Sequence, residues 1–295
     1  MRSPNRPWLW PVAAMLVLAL VGCSMKSGAP PRVEGRALTP EERSVLDRAE
    51  AELTAECMRR TGFEFFAATP PAPAREFPYG IDDRNWAKVH GFGLAESKVA
   101  SDRLIATDPN RRHFFSLSSK RRDEYLLALD GGRRDPVTVR LPDGSVLSAS
   151  TRGCTAEAES RLYGDFSRWF RTEAQIERFP AEYRALVRKD AAYLAAVGAW
   201  AACIHDKGYG AANPDQLRTL VLEPLGEGWR VEDEIPAAVA EAECSDATRL
   251  VEIAEQVERA QAEKVYAAHR EVIAEYQELS VAALGRVRAG LGTAR

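Results

Sequence analysis

The chain has 295 residues, 45% apolar and 28% charged, with 20 glycines and 17 prolines. Such a composition is globular rather than collagenous, fibrous or disordered, and the length allows one or two domains with a real core. A balance of 40 basic against 43 acidic residues gives a formal charge of −3. No basic field for nucleic acid results, and five cysteines with four histidines are too few and too scattered for a metal-rich module.

The chain opens with Arg2 and Arg6 ahead of an apolar run from Trp8 to Val21. As a helix that run reaches roughly 21 Å, short of the ~30 Å hydrocarbon core. It fits the apolar region of an export signal better than a permanent span. It ends in Leu20-Val21-Gly22-Cys23, which resembles the lipobox of bacterial lipoproteins. The resemblance implies cleavage after Gly22 and a diacylglyceryl group on Cys23, with palmitate-type acylation of the new N-terminus. Each buried methylene contributes about 0.8 kcal/mol, so two or more acyl chains give durable attachment. Residues 1–22 are thus expected to be a lipoprotein signal peptide. Residues 23–38, with Gly28, Pro30, Pro31 and Gly35 and no apolar period, are expected to be a lipidated tether.

Thr39-Pro40-Glu41-Glu42 predicts a helix start, with a threonine cap, proline in the first turn and glutamate three residues after the cap. Leu46, Ala49, Leu53 and Cys57 then form one stripe, and Gly62 sits where a left-handed C-terminal cap belongs. Residues 67–115 lack period and contain Thr69-Pro70-Pro71-Ala72-Pro73, so loops are expected there. A short helix is predicted from Ser118 or Ser119 to Gly131-Gly132. Val137–Leu141 and Ser145–Ser148 around Pro142-Asp143-Gly144 predict a lone β-hairpin. Helix returns at Cys154 with Ala156, Ala158, Leu162, Phe166 and Trp169, and Phe179-Pro180 interrupts it. Leu194, Val197, Trp200 or Ala201, and Ile204 mark another helix that stops near Gly208. Asn213-Pro214 predicts the cap of a short helix through Leu217, Leu220 and Val221. The last segment, from about Pro236 to about Leu284, has its inner face at Val239, Leu250, Ile253, Val257, Val265, Ala268, Val272, Tyr276, Leu279 and Ala283. It is long for one globular helix, and a bend or a protruding coiled hairpin would account for it.

Two stretches are alike. Cys57-Met58-Arg59-Arg60-Thr61-Gly62-Phe63 and Cys203-Ile204-His205-Asp206-Lys207-Gly208-Tyr209 both read Cys, apolar, three residues, Gly, aromatic, each at a helix end. Gly153-Cys154-Thr155-Ala156-Glu157-Ala158 loosely matches Glu243-Cys244-Ser245-Asp246-Ala247, each placed at or near a helix start. Two related, cysteine-marked halves are expected, 39–175 and 176–295, the second carrying the long C-terminal helix. In an oxidising space thiols pair. The four cysteines after Cys23 allow three pairings. The repeat favours Cys57–Cys154 and Cys203–Cys244.

Cys-Met-x-x-x-Gly-aromatic, then Gly153-Cys154-x-x-Glu157-Ala158-x-x-x-Leu162-Tyr163-Gly164, then Trp200-x-x-Cys203-Ile204-x-x-x-Gly208-Tyr209 resembles uncharacterised secreted proteins and lipoproteins of actinobacteria. The likeness covers most of residues 45–250 and departs at Ile204, where methionine is usual. The dominance of arginine among the basic residues and the abundance of alanine agree with it. It implies location and disulfides and carries no activity.

Candidate chemistry is thin. Cys203-Ile204-His205-Asp206 invites a thiol or metal reading, but neighbours on a helix do not face each other, and a structural disulfide is favoured. His90, His113 and His269 are isolated, and no metal site or cofactor is expected. Gly91-Phe92-Gly93 lacks the third glycine and preceding strand of a dinucleotide loop, and Gly208-Tyr209-Gly210 is a helix cap. Asp82-Asp83 lacks the glycine and distal glutamate of a calcium loop. Ser145 is not in a Gly-x-Ser-x-Gly elbow. The Glu and Arg residues of 241–288 read as a solvated helix face. Tyr79, Trp86, Phe92, Phe114 and Phe115 either line a ligand cleft or pin the 67–115 loops to the core.

The expectation is therefore a mainly α, disulfide-stapled helical domain with a minor β-hairpin, lipid-anchored through Cys23 on the extracytoplasmic face of a cell membrane. A non-catalytic binding or accessory role in the envelope, with an envelope protein as partner, follows from the lack of a catalytic set. The alternatives are a ligand-sensing subunit of an envelope transporter or signalling complex, and a hydrolase whose acids only folding assembles. A pocket of converging carboxylates with raised pKa would favour the hydrolase. A shallow or apolar cleft without them would favour binding, and a long exposed apolar face near 250–288 a protein partner.

Overall fold

The structure is a computed structural model, and it describes residues 37–68, 75–132, 135–141 and 144–291. These belong to one compact unit, Glu34–Arg295. The tether, the signal segment and Cys23 lie outside the described residues, as does Thr69-Pro70-Pro71-Ala72-Pro73. No helix among the described residues is long and apolar enough to cross a membrane.

Helix α1 (Pro40–Arg60) begins on the expected box: the Thr39 hydroxyl accepts from the Glu42 amide at 3.2 Å, and the Glu42 carboxylate accepts from the Thr39 amide at 3.1 Å. Its stripe buries Leu46, Ala49, Leu53 and Cys57. The end explains the repeated motif. Gly62, at φ 84°, donates to the Arg59 carbonyl, and the Phe63 amide donates to that of Met58. After α9 (Ala191–Asp206), Gly208 at φ 91° donates to His205, and Tyr209 donates to Ile204. Both are Schellman ends, in which glycine takes the left-handed position and the next residue folds back over the last turn. The apolar residue of each motif, Met58 or Ile204, is fully buried, and the preceding cysteine faces a neighbouring helix.

Those cysteines form the expected bonds, Cys57–Cys154 and Cys203–Cys244, with Cα separations of 5.4 and 5.7 Å. Cys154 is the first residue of α6 (Cys154–Tyr163), as expected. Cys244 is not near a helix start: α11 (Val231–Thr248) begins earlier, and Cys244 lies in its last turns, with Pro236 inside the helix. The acidic first turn of Glu232, Asp233 and Glu234 makes that earlier start favourable.

Residues 67–115 depart most from expectation. They hold α2 (Arg84–His90), α3 (Leu94–Thr107) and α4 (Pro109–Ser116). Asp83 and Asp108 cap α2 and α4 through the amides of Trp86 and Asn110. The only buried residue of α3 is Ala95, and α4 has none. Caps start α2 and α4, and no apolar stripe records any of the three.

Next come α5 (Ser119–Asp130) and the hairpin of β1 (Pro136–Arg140) and β2 (Val146–Ser150), antiparallel with Thr138 opposite Ser148. Val137 and Val139 face α7 (Phe166–Ile176) and pack on Phe166 and Phe170. A Cβ on Gly131 would stand 2.0 Å from the Arg152 carbonyl oxygen, and one on Gly153 would stand 2.4 Å from the Gly131 amide. The two glycines let the end of α5 pass directly over the start of α6. Phe179-Pro180 opens α8 (Phe179–Val187), and Asn213 caps α10 (Pro214–Leu222). The C-terminal segment is three helices, α11, α12 (Leu250–Ala268) and α13 (Arg270–Arg288), broken at Arg249 in the left-handed region and at His269.

The two largest of the cores exchange sequence. One joins Leu46 and Leu53 of α1 and Leu162 of α6 to Leu279, Ala283 and Leu284 of α13. The other joins Trp200, Ile204, Ala238 and Leu250 to Tyr79, Ile81, Ala87 and Phe92. Residues 77–95 therefore pack among the C-terminal helices, and the last helix packs among the N-terminal ones.

Candidate functional site

The histidines stay apart. His90 stacks on Trp86 and reaches Glu96 at 2.9 Å, His113 lies 3.7 Å from Glu64, and His269 stacks on Phe179 with Glu182 at 3.8 Å. Among the described residues no group of three or more His, Cys, Asp or Glu side chains is arranged to hold a metal. Asp83 caps a helix and pairs with Arg75 at 3.0 Å. The aromatic cluster divides. Tyr79, Trp86 and Phe92 belong to the C-terminal core, Phe114 packs beside Met58 and Tyr125, and Phe115 is exposed.

Helix α11 organises the region. It is lined with alanine, yet Glu234 and Glu241, seven residues apart on one face, are both fully buried. The Glu234 carboxylate accepts from the amides of Phe92 (2.7 Å), Leu94 (3.2 Å) and Ala95 (2.6 Å) and from the Trp229 indole (2.8 Å). Gly91-Phe92-Gly93 is thus an anion nest at the start of α3, and the chain's own glutamate fills it. A Cβ on Gly91 would stand 2.4 Å from that of Glu234. One turn pair on, Glu241 accepts from the Ile81 amide at 2.7 Å and from Arg218 at 2.8 Å. Burial pushes its carboxyl upward despite Arg218.

These anchors hold residues 75–97 over α8 and α10, leaving a cleft of about 510 Å³. Arg218 forms its floor, bonded to Glu241, 3.6 Å from Asp215, and 5.8 Å over the Phe92 ring. Arg184 and Arg188, one helical turn apart at the end of α8, form one wall. Arg75 stacks 4.7 Å over Phe77 on the other. The rim acids hold the wall arginines loosely: Glu76 is 3.9 Å from Arg184 and Asp215 is 3.8 Å from Arg188. No sequence pattern links arginines 75, 184, 188 and 218, so the cleft was not legible in advance. Glu234 and Glu241 did leave a signal, carboxylates at heptad spacing on an apolar face, and reading 241–288 as solvated passed over Glu241.

Carboxyls of raised pKa do exist elsewhere. Glu159 of α6 and Glu173 of α7 are each pushed up to about 8, chiefly by burial and then by the charge of Glu50 on α1. Burial raises Glu50 as well, and Tyr163 donates to it at 3.5 Å. A neighbouring groove of about 410 Å³ is lined by Asp47 and Glu50 but by neither Glu159 nor Glu173. The three carboxyls are half-buried; Glu50 lines the groove together with the Thr54 and Thr155 hydroxyls, and Glu159 and Glu173 lie off it. Their consequence is for stability. From an ordinary value of 4.5 in the unfolded chain to about 8 in the fold, the native state binds more protons. Stability should therefore fall as pH rises from about 4.5 to about 8, by on the order of a few kcal/mol for the coupled group. Melting at pH 5, 6.5 and 8 should show the decline, and E159Q with E173Q should flatten it and raise the melting temperature at pH 8. An unchanged pH profile in that variant would contradict the assignment.

The C-terminal helices offer no long apolar face, since α12 packs on α8 and α9, and α13 on α1, α6 and α7. Tyr266 is the one large hydrophobic side chain exposed between 250 and 288. No family model, curated protein or solved structure matches the chain.

Proposed function

We propose that the protein is a lipid-anchored component of a bacterial cell envelope, displayed outside the cytoplasmic membrane, with a non-catalytic binding role. The arginine-lined cleft carries this reading. It is a concave site of ligand size with stacked aromatic and guanidinium walls, and arginine is the most frequent residue type among the described residues that line it. Two closed disulfides accord with an oxidising compartment, and the Leu20-Val21-Gly22-Cys23 resemblance supplies the anchor. The ligand-sensing alternative draws on the same cleft. Its walls come from residues 75–97, α8 and α10, so an occupant would tie together segments far apart in the chain.

Globomycin should make the unprocessed precursor accumulate, and C23A should release the chain from the envelope fraction. Continued sedimentation of C23A with the envelope, or four reduced thiols in protein taken from living cells, would overturn the location. A photo-crosslinking residue at Ser97, on the cleft edge, should capture an envelope component in intact cells.

A further inference from the structure

We propose that the cleft takes a phosphate monoester carried on a flat apolar body. The proposal rests on the cleft being the protein's binding site. Arg184 and Arg188 make no hydrogen bond to the rim acids, whose oxygens lie at 3.9 and 3.8 Å. Glu76 and Asp215 are 72% and 68% exposed. Ion pairs that are loose and wet in this way are worth roughly 0–1 kcal/mol, so an incoming oxyanion can displace them. Two guanidinium forks one turn apart match phosphate oxygens in a way ammonium groups do not.

The other cations are differently placed. Arg218 is committed to Glu241 and Arg75 to Asp83, so they shape the cleft while the pair on α8 has donors to give. The nest at α3, the other anion-seeking feature nearby, is already filled by Glu234. Phe77, half-buried beside Arg75, gives the cleft an apolar border, while Phe92 is almost fully buried near Arg218. The volume of about 510 Å³ falls within the range of small-molecule pockets and exceeds what a bare oxyanion needs. An anionic head beside a flat apolar body uses both the arginines and the Phe77 border.

The test uses the full chain in a non-ionic detergent, titrated with phenyl phosphate, inorganic phosphate and glycerol phosphate. Trp86, whose ring touches Phe77 and lies near Arg75, serves as the fluorescent reporter beside calorimetry. Phenyl phosphate should bind saturably and more tightly than inorganic phosphate. R184M with R188M should weaken it by about tenfold or more, and E76Q should tighten it severalfold by removing a competitor. R188M alone, at a half-exposed side chain, serves should the double variant unfold. Glycerol phosphate binding as tightly as phenyl phosphate would overturn the flat apolar body and point to the phosphate of a lipid headgroup. Weaker glycerol phosphate binding is the expected result and supports the flat apolar body. Absence of saturable binding up to roughly 10 mM, or affinity unchanged in the arginine variants, would overturn the proposal. Fractionation and crosslinking in cells are read separately, so the envelope role can stand when the ligand class falls.

Discussion

Replacing Cys57 and Cys154 together by alanine is expected to lower stability by about 4–5 kcal/mol, the largest loss from any single covalent change in the described fold. The bond closes a loop of 97 residues, for which chain entropy alone gives roughly 4.7 kcal/mol as an upper figure. The 41-residue loop of Cys203–Cys244 gives roughly 3.9 kcal/mol, close to the first because closure entropy grows only with the logarithm of length. Both sulfurs of the first bond are buried, so alanine removes packing as well as the constraint. Helices α1 and α6 also pack directly, through Leu46, Leu53, Ala158 and Leu162 and the Arg161–Glu56 ion pair at 3.1 Å, so the covalent link adds to a junction that already has its own contacts. Urea unfolding of oxidised protein and of C57A with C154A measures the difference. Midpoints agreeing within error would show that packing, not the covalent link, fixes that junction.

Glu234→Ala should cost about 3–5 kcal/mol and should act on one region. It strips the partner from three backbone amides and one indole, of which the Phe92 and Ala95 amides are buried away from water, and leaves a cavity in a fully buried site. Helix α3 buries only Ala95, so little else retains it. Hydrogen exchange should show the amides of 92–107 losing protection while those of α9 keep it. Glutamine should restore little, because its amide nitrogen meets donors where a carboxylate oxygen accepted. Gly91→Ala should resemble Glu234→Ala, since the new methyl would occupy the space of the Glu234 Cβ. Uniform loss of protection across the molecule would refute the local account. Because Phe92 and Leu94 line the cleft, either variant should also weaken phenyl phosphate binding.

Much of the architecture is legible wherever local chemistry decides. The Thr39 box, the Gly62 and Gly208 ends, the hairpin around Gly144, the break at Phe179-Pro180 and the Asn213 cap each depend on a few adjacent residues whose conformational preferences act within one turn. The cysteine pairing was legible because the same helix end occurs twice, with cysteine one residue before the buried Met58 or Ile204. Helices α2, α3 and α4 were not legible, because they bury almost nothing and so leave no period.

What the amino-acid order alone indicated is the helical class, the ends of those elements that carry a local cap or turn, and a favoured cysteine pairing. Tertiary structure alone decided that residues 77–95 and α13 trade cores, that α11 turns two glutamates inward, and that four arginines from distant segments surround one cleft. Caps and stripes act over a turn or two and are written in neighbouring residues. A buried carboxylate or a guanidinium wall depends on partners more than a hundred positions away, and its energy exists only once the chain has brought them together.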